Sequence, residues 1–224
     1  QKDGIWQANS KDTAAALALG QTVTGTGSVI GQLKVVDRNG NKTIDAGDMY
    51  VLGSNQPKWE GGMTNRFSYK GFDFTVVVAA RVGGLISSTL YGGGFANTLQ
   101  ANYNNVNIAY WTPVNPSNEW PKPNSAQTNP QKNSLLGYYD ASYLKIRSLS
   151  LGYSIPQAII RKTGAKSIRI YATAQDPFIL FSPYRNKYHG LDPEAAGSST
   201  NPSANINVDT PPVWSMIFGV NVTL

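Results

Sequence analysis

The sequence predicts an all-β chain whose antiparallel strands belong to the wall of a large transmembrane β-barrel. Three observations predict it. Five segments alternate apolar and polar residues with period 2. These segments run about twelve to fifteen residues, whereas an ordinary strand has ~5–6. The connections between them are alternately short and long.

Strand length separates a barrel from a sandwich, which shares the alternation. Twelve residues at ~3.4 Å each, tilted by ~40°, cover roughly 30 Å along the membrane normal, more than the ~25 Å apolar band of an outer-membrane barrel. Composition agrees. Among 224 residues 14 % are charged and 11 % aromatic, with no Cys and abundant Gly, Pro and Asn, which suits strands joined by irregular loops. The longest apolar runs, Val76 to Ala80 and Ala14 to Leu19, fall far short of the ~18 residues of a spanning helix, so spanning is predicted to go by strands. Net charge is +6, yet Lys and Arg are scattered singly, without a helix-turn-helix pattern or an RNP-like aromatic pair, so nucleic acid is not predicted as a partner.

Residues 1–58 show little periodicity and read as a loop, Gly/Thr/Ser-rich from Thr22 to Ile30. The first strand covers about 59–70, with Trp59, Met63, Phe67 and Tyr69 on one face and Glu60, Thr64, Arg66 and Ser68 on the other. A tight turn at Lys70-Gly71, where Gly supplies positive φ, leads into a strand at about 72–83 that sets Phe72, Phe74, Val76 and Val78 against Asp73, Thr75 and Arg81. Residues 84–140 are rich in Gly, Asn and Pro and form a long connection of a kind that is usually functional. The third strand covers about 141–156. Its phase slips, with Leu144 and Ile146 on one face and Leu149, Leu151 and Tyr153 on the opposite one, and a bulge near Arg147 reconciles the two halves. After a short connection at 157–166, a strand at about 166–181 sets Ile168, Ile170, Ala172 and Ala174 against Arg169, Tyr171, Thr173 and Gln175. A second long loop at 182–210 precedes the last strand, about 211–224, where Trp214, Met216, Phe218, Val220 and Val222 share a face.

With a periplasmic C-terminus, both short connections fall on the periplasmic side and both long ones outside, as outer-membrane barrels have them. The same orientation places Trp59, Phe178, Phe181 and Trp214 at the extracellular rim and Phe67, Tyr69, Phe72 and Tyr153 at the periplasmic rim, as two membrane girdles. The other reading of these aromatics is ordinary strand formers. Five strands do not close around a lumen, so the remaining strands are expected outside this sequence.

Several collinear segments then carry a family likeness. They are Asp37-Arg-Asn-Gly-Asn-Lys-Thr-Ile-Asp45, Phe67-Ser-Tyr-Lys-Gly-Phe-Asp-Phe74, and Ser142-Tyr-Leu-Lys-Ile-Arg-Ser-Leu-Ser-Leu-Gly-Tyr-Ser-Ile-Pro156. Arg169-Ile-Tyr171 with Gln175, Gly190-Leu-Asp-Pro-Glu194 and Phe218-Gly-Val-Asn-Val-Thr-Leu224 follow. Over roughly residues 30–224 the chain resembles the C-terminal part of the SusC/RagA family of TonB-linked outer-membrane proteins of Bacteroidota. The resemblance implies a 22-stranded TonB-dependent receptor barrel with a plug, of which these are the last five strands. It also implies energised import of glycans or peptides under a SusD-like lipoprotein lid. Contact with TonB would go through an N-terminal part outside this sequence. Gly219-x-x-Val222-x-Leu224 resembles the barrel-assembly signal of such proteins, but ends in Leu where an aromatic is usual.

Asp37, Asn39, Asn41, Thr43, Asp45 and Asp48 occupy positions 1, 3, 5, 7, 9 and 12 of a calcium-loop register, a spacing at which oxygen ligands can wrap Ca²⁺. Lys42 stands where an EF-hand needs Gly, and Asp48 replaces the bidentate Glu. The other reading is an Asx-rich loop that satisfies its own backbone. Trp111, Trp120, Tyr184 and Tyr188 lie in the long loops, where aromatic faces can stack on sugars, pack on a lid, or pack within the loop. His189 has no second His or Cys beside which to bind a metal. Asp192 and Glu194 pair carboxylates in a turn too tight to flank a scissile bond, and no GxSxG, GxGxxG, P-loop or HExxH pattern occurs, so no catalytic site is read. The alternative function is a secreted β-rich carbohydrate-binding module with a calcium loop.

Overall fold

The computed structural model describes residues 2–88, 91, 108–123, 135–162, 164–194, 205–206 and 213–224. The chain divides into two units, one of residues 1–53 and 87–138, the other of residues 54–86 and 139–224.

The second unit is built on a five-stranded antiparallel sheet. Its strands are β3 (Trp59–Tyr69), β4 (Phe72–Val82), β7 (Tyr143–Ser154), β8 (Ser167–Phe181) and β10 (Ser215–Thr223). Their order across the sheet is β10-β8-β7-β4-β3. β3 and β4 pair without interruption from Trp59↔Val82 to Tyr69↔Phe72. The two residues between them, Lys70 at φ 46° and Gly71 at φ 86°, are both left-handed, the combination whose twist matches flanking strands in a two-residue hairpin. A Cβ on Gly71 would lie 2.9 Å from the carbonyl oxygen of Ser154, whose own N–H donates to the Gly71 carbonyl at 2.8 Å. β4 stops where Gly83 and Gly84 both take positive φ, and β7 stops just before Pro156.

β7 contains the bulge. Ser148 pairs with Val77 and Ile146 with Val78, which leaves Arg147 without an opposite residue on β4. The extra residue restores the phase, so Leu144, Ile146, Leu149, Leu151 and Tyr153 all fall on one face. β8 answers with its own irregularity at Asp176-Pro177, where Asp176 takes φ 49°.

The result is a two-faced sheet. One face carries Trp59, Met63 and Phe67, then Phe72 to Val82 on alternate positions, Leu151 and Tyr153, Ile170 and Phe178, and Met216, Phe218, Val220 and Val222. These side chains are largely exposed, Phe218 by 73 % and Val220 by 62 %, so the sheet presents oil to its surroundings across all five strands. The opposite face is tied by polar cross-strand contacts. Glu60 pairs with Arg81 directly opposite, Ser150 hydrogen-bonds Thr173 at 2.9 Å, and Arg169 holds Asp73 by two hydrogen bonds. The Arg169–Asp73 pair reaches from β8 to β4 across Gly152 of β7, where any Cβ would collide with both side chains.

The first unit corrects the reading of residues 1–58 as a loop. β1 (Lys2–Ile5) pairs with β2 (Leu33–Val35), and Ser10–Ala18 forms the helix α1. Asn9 caps α1 by accepting from the Asp12 N–H, and the apolar run from Ala14 to Ala18 forms its second half, with Leu19 as the C-cap. Ile5, Leu33, Trp111 and Leu136 make a buried cluster with Ile30 and Trp120 against it. The segment 84–140 is not uniformly irregular either. It contains β5 (Leu85–Ser88) and β6 (Tyr138–Asp140), which join β9 (Asn205–Ile206) in a three-stranded sheet of order β6-β5-β9. Residues 89–90, 92–107, 124–134, 195–204 and 207–212 of the two long connections and the last strand's start lie outside the described residues.

Replacing Gly71 by Val in the intact protein should cost roughly 1–3 kcal/mol, since a β-branched side chain meets both the positive φ and the Ser154 carbonyl. Thermal or denaturant unfolding would show it, and Lys70→Gly should be neutral or stabilising in the same assay.

Candidate functional site

The segment after β8 is fixed to the sheet by a set of charged side chains that sequence spacing did not connect. Ser182, fully buried, caps the short helix α3 (Pro183–Tyr188) by accepting from the Arg185 N–H, with Pro183 at its first turn. His189 ends the helix in the left-handed conformation at φ 54°. The Tyr184 ring lies so close to Gly190 that no side chain fits there. Tyr139 stacks near both Tyr184 and Tyr188, at ring-centroid distances of 4.9 and 4.8 Å. The chain then turns back through Asp192 and Glu194, with the Glu194 N–H donating to Asp192 Oδ1 at 2.9 Å.

Both carboxylates meet the polar face of β7. Lys145 Nζ lies 2.7 Å from Asp192, 3.0 Å from Asp176 on β8 and 3.4 Å from Glu194. Arg147, the bulged residue, bonds Glu194, and the Tyr143 hydroxyl donates to the same oxygen. Lys145 is 3 % exposed, so three carboxylates surround one buried ammonium group. This arrangement anchors the segment to β7 and β8. Lys145 was visible in the sequence only as a polar-phase residue of a strand, and nothing in its spacing linked it to residues 31 to 49 positions later.

The four loop aromatics divide. Trp111 is 4 % exposed, donates its indole N–H to Gln7 Oε1 at 2.8 Å, and packs on Gly31, where a Cβ would lie 2.5 Å from the ring. Tyr184 is fully buried. Neither presents a face to a sugar or a lid, which corrects that expectation for both, because each ring fills the core of its own segment. Trp120 is half-buried beside Tyr91, with ring centroids 5.0 Å apart, and Tyr188 is half-buried on Tyr139.

The loop 37–48 closes upon itself. Asp37 accepts from the N–H groups of Gly40 and Lys42, Asn39 from Asn41, Asn41 from Thr43, and Asp45 from Gly47. Asp48 accepts from Asp45, Arg38 and Asn39 and completes a reciprocal cap with Asp45. Lys42 takes φ 65°, the left-handed conformation that a calcium loop assigns to Gly. Among the described residues no group of three or more His, Cys, Asp or Glu is disposed to hold a metal ion. The side-chain oxygens of this loop accept from its own backbone N–H groups, as in a chain of Asx turns. The hydrogen bonds from Asp45 and then Arg38 hold the Asp48 carboxyl below its ordinary range.

The eight girdle aromatics sort by sheet end. Trp59, Phe178, Phe181 and Trp214 lie where β3 and β10 begin and β8 ends. Phe67, Tyr69, Phe72 and Tyr153 lie at the hairpin end, with the Phe72 and Tyr153 rings 4.5 Å apart. In the first unit a cleft of about 580 Å³ is lined by Asp3, Gln7, Asn9, Asp12 and Lys34 among others. Its polar groups pair with one another, Lys34 with Asp3 at 3.2 Å and the Gln7 N–H with Asp12 at 2.8 Å.

No family model matches the chain. It is 30 % identical over 210 residues to TonB-dependent receptor P3 of Formosa agariphila, covering 90 % of this chain and 20 % of that protein. It is 32 % identical over 174 residues to TonB-dependent receptor SusC of Bacteroides thetaiotaomicron, covering 75 % of this chain and 16 % of that protein. Among solved structures, the RagAB peptide importer in the 'closed-closed' state superimposes on 85 % of this chain with a TM-score of 0.59 at 22 % identity, over 21 % of that chain. The 'open-open' state gives 0.55 over 78 % of this chain and 18 % of that one. The chain thus spans about a fifth of the length of the curated relatives it matches. It belongs to the SusC/RagA-like TonB-dependent receptors, outer-membrane proteins, as an all-β fragment of one.

Lys145→Met in the intact receptor should leave Asp176 and Asp192 without a cation, Glu194 keeping Arg147, and destabilise the Ser182–Glu194 segment by about 3 kcal/mol, seen as faster proteolytic cleavage within it. Asp48 contributes its stability above the ordinary carboxylate pKa of about 3.9 and loses it as pH falls below that value. Protection of the Arg38 and Asp45 backbone amides, taken relative to the intrinsic exchange rate at each pH, should therefore fall in acid, and Asp48→Asn should show the lower protection already at pH 7.

Proposed function

We propose that this chain is the C-terminal stretch of wall in an outer-membrane TonB-dependent transporter that imports glycans or peptides, working with a SusD-like lipoprotein lid. The observation that carries the reading is the sheet with one apolar, exposed face across five long strands and one polar, hydrogen-bonded face. In a membrane the first faces lipid and the second the lumen. β3 and β10 have unpaired outer edges within this sheet, and the rest of the barrel would supply their partners. The plug and the contact with TonB would belong to other parts of the same receptor.

In this reading the hairpin at Lys70-Gly71, the 157–166 connection and the C-terminus are periplasmic. Residues 1–58, 84–140 and 182–210 are extracellular. The separation of the aromatics into two rows at opposite sheet ends supports two interfacial girdles. A lid partner is supported by the names of the relatives, SusC and RagAB, and import of peptides by the likeness to the RagAB peptide importer. The Lys145 cluster then secures an extracellular segment to the lumenal wall.

Single cysteines in the full-length receptor test the orientation. A membrane-impermeant maleimide added to intact cells should label Val114→Cys, which is 94 % exposed, and spare Lys70→Cys until the outer membrane is opened. Labelling of Lys70→Cys from outside would overturn the orientation. Phe218→Arg should cost about 2–4 kcal/mol in lipid, while Asn221→Arg on the opposite face should cost less than about 1 kcal/mol.

A further inference from the structure

The hairpin end of the sheet has an unbalanced charge that the transport reading does not use. Lys70 stands at the β3–β4 turn, and Arg161, Lys162 and Lys166 stand between β7 and β8. All four are exposed. Backbone hydrogen bonds set them along one edge. Ser154 N–H donates to Gly71 at 2.8 Å, Ile155 to Ile168 at 2.9 Å, and Lys166 to Thr223 at 2.7 Å. The short helix α2 (Gln157–Ile160) lies between, with Ile159 68 % exposed.

Among the described residues no side-chain carboxylate balances these cations. Residues 154–168 contain no Asp or Glu. The one side-chain carboxylate near this end, Asp73, is held by both arms of Arg169. In the described part of this unit the other carboxylates, Glu60, Asp140, Asp176, Asp192 and Glu194, all belong to the opposite half of the sheet. Among the described residues none of the four cations forms an ion pair with a side chain. Directly inward from them lie Tyr69, Phe72 and Tyr153, and Lys70 Nζ sits 5.3 Å over the Tyr69 ring.

We propose that this edge binds the phosphate groups of anionic glycerophospholipids in the leaflet on the hairpin side of the membrane. Interfacial aromatics locate the boundary between acyl chains and headgroups, and unpaired cations one step outward lie at phosphate level. The long side chains of Lys and Arg reach from apolar surface to that level without burying their charge. Each cation near an anionic surface contributes roughly a fivefold preference at most, so four in a row select anionic over zwitterionic headgroups without any one being indispensable. The proposal rests on the membrane orientation proposed above.

The test uses the full-length receptor in nanodiscs of phosphatidylcholine and phosphatidylglycerol in equal parts, with retained lipid measured by mass spectrometry after mild detergent release. The wild type should retain phosphatidylglycerol over phosphatidylcholine by about fivefold or more. Each of K70Q, R161Q, K162Q and K166Q should lower the ratio about 1.5-fold or more, and the quadruple variant should bring it to one. Arg185→Gln with Lys187→Gln, near the other end of the sheet, should leave it unchanged. Heat-modifiable migration confirms that each variant is folded. An even lipid ratio in the folded wild type, an undiminished ratio in the quadruple variant, or an equal loss in the Arg185/Lys187 control would each overturn the proposal. If Lys70→Cys is instead labelled from outside the cell, the orientation has failed, and a phosphate preference at this edge then belongs to lipopolysaccharide, a result that added lipopolysaccharide competing for the site would show.

Discussion

The sheet depends on five strands keeping a single phase, and at Arg147 that phase would otherwise be lost. Side chains alternate strictly along a strand, so one uncompensated extra residue would send half of β7's apolar side chains to the polar face. The structure absorbs the residue as a bulge, Val77 facing Ser148 and Val78 facing Ile146. Leu144 and Ile146 thereby join Leu149 and Leu151 against β4 and β8. The bulged side chain is also used, since Arg147 reaches Glu194 from the polar side. One local insertion thus keeps the apolar face continuous and supplies a charge to the segment beyond β8.

The two faces obey different rules. On the apolar face the strands need only bulk and β-branching, and exposure is high because the surroundings are expected to be apolar as well. On the polar face Arg81, Lys145, Arg147 and Arg169 each have a specific carboxylate counterpart, and small residues make room for such contacts. Gly152 lets Arg169 reach Asp73, Gly219 lies beneath the Tyr171 ring, and Gly190 lies beneath Tyr184. Added methyl groups at these positions would meet side chains and not solvent, so the glycines in these polar layers are packing requirements.

Legibility in the sequence followed the range of the interactions. The alternation from Phe72 to Val82 and from Ser215 to Thr223 is a local pattern, and the phase slip at Arg147 is local too, so both could be read directly. The helix signals were also present, Asn9 before an Ala-rich run and Ser182-Pro183 before Gly190, but they are weak in segments dominated by loop-forming residues. The core of the first unit was not legible, because Ile5, Leu33, Trp111 and Leu136 meet across more than 100 residues with no periodic pattern between them. For the same reason Trp111 and Tyr184 read as loop aromatics when they are buried anchors. The Lys145 cluster needed three dimensions, since strand pairing brings Asp176 beside it and a chain reversal brings Asp192 and Glu194. The oxygen-rich spacing of Asp37 to Asp48 could be read as a cation site or as a self-capping loop, and the hydrogen bonds follow the second pattern.

The central claim is that the two sheet faces meet lipid and water respectively. Nitroxide labels placed one at a time along β7 from Tyr143 to Ser154 in the full-length receptor, reconstituted in bilayers, would measure it through accessibility to oxygen and to a polar nickel complex. The account predicts alternation with period 2, oxygen-rich at Leu144, Ile146, Leu149, Leu151 and Tyr153, with one break in the rhythm at Arg147. Uniform access of the polar complex to both faces, or alternation that runs through Arg147 without a break, would contradict it.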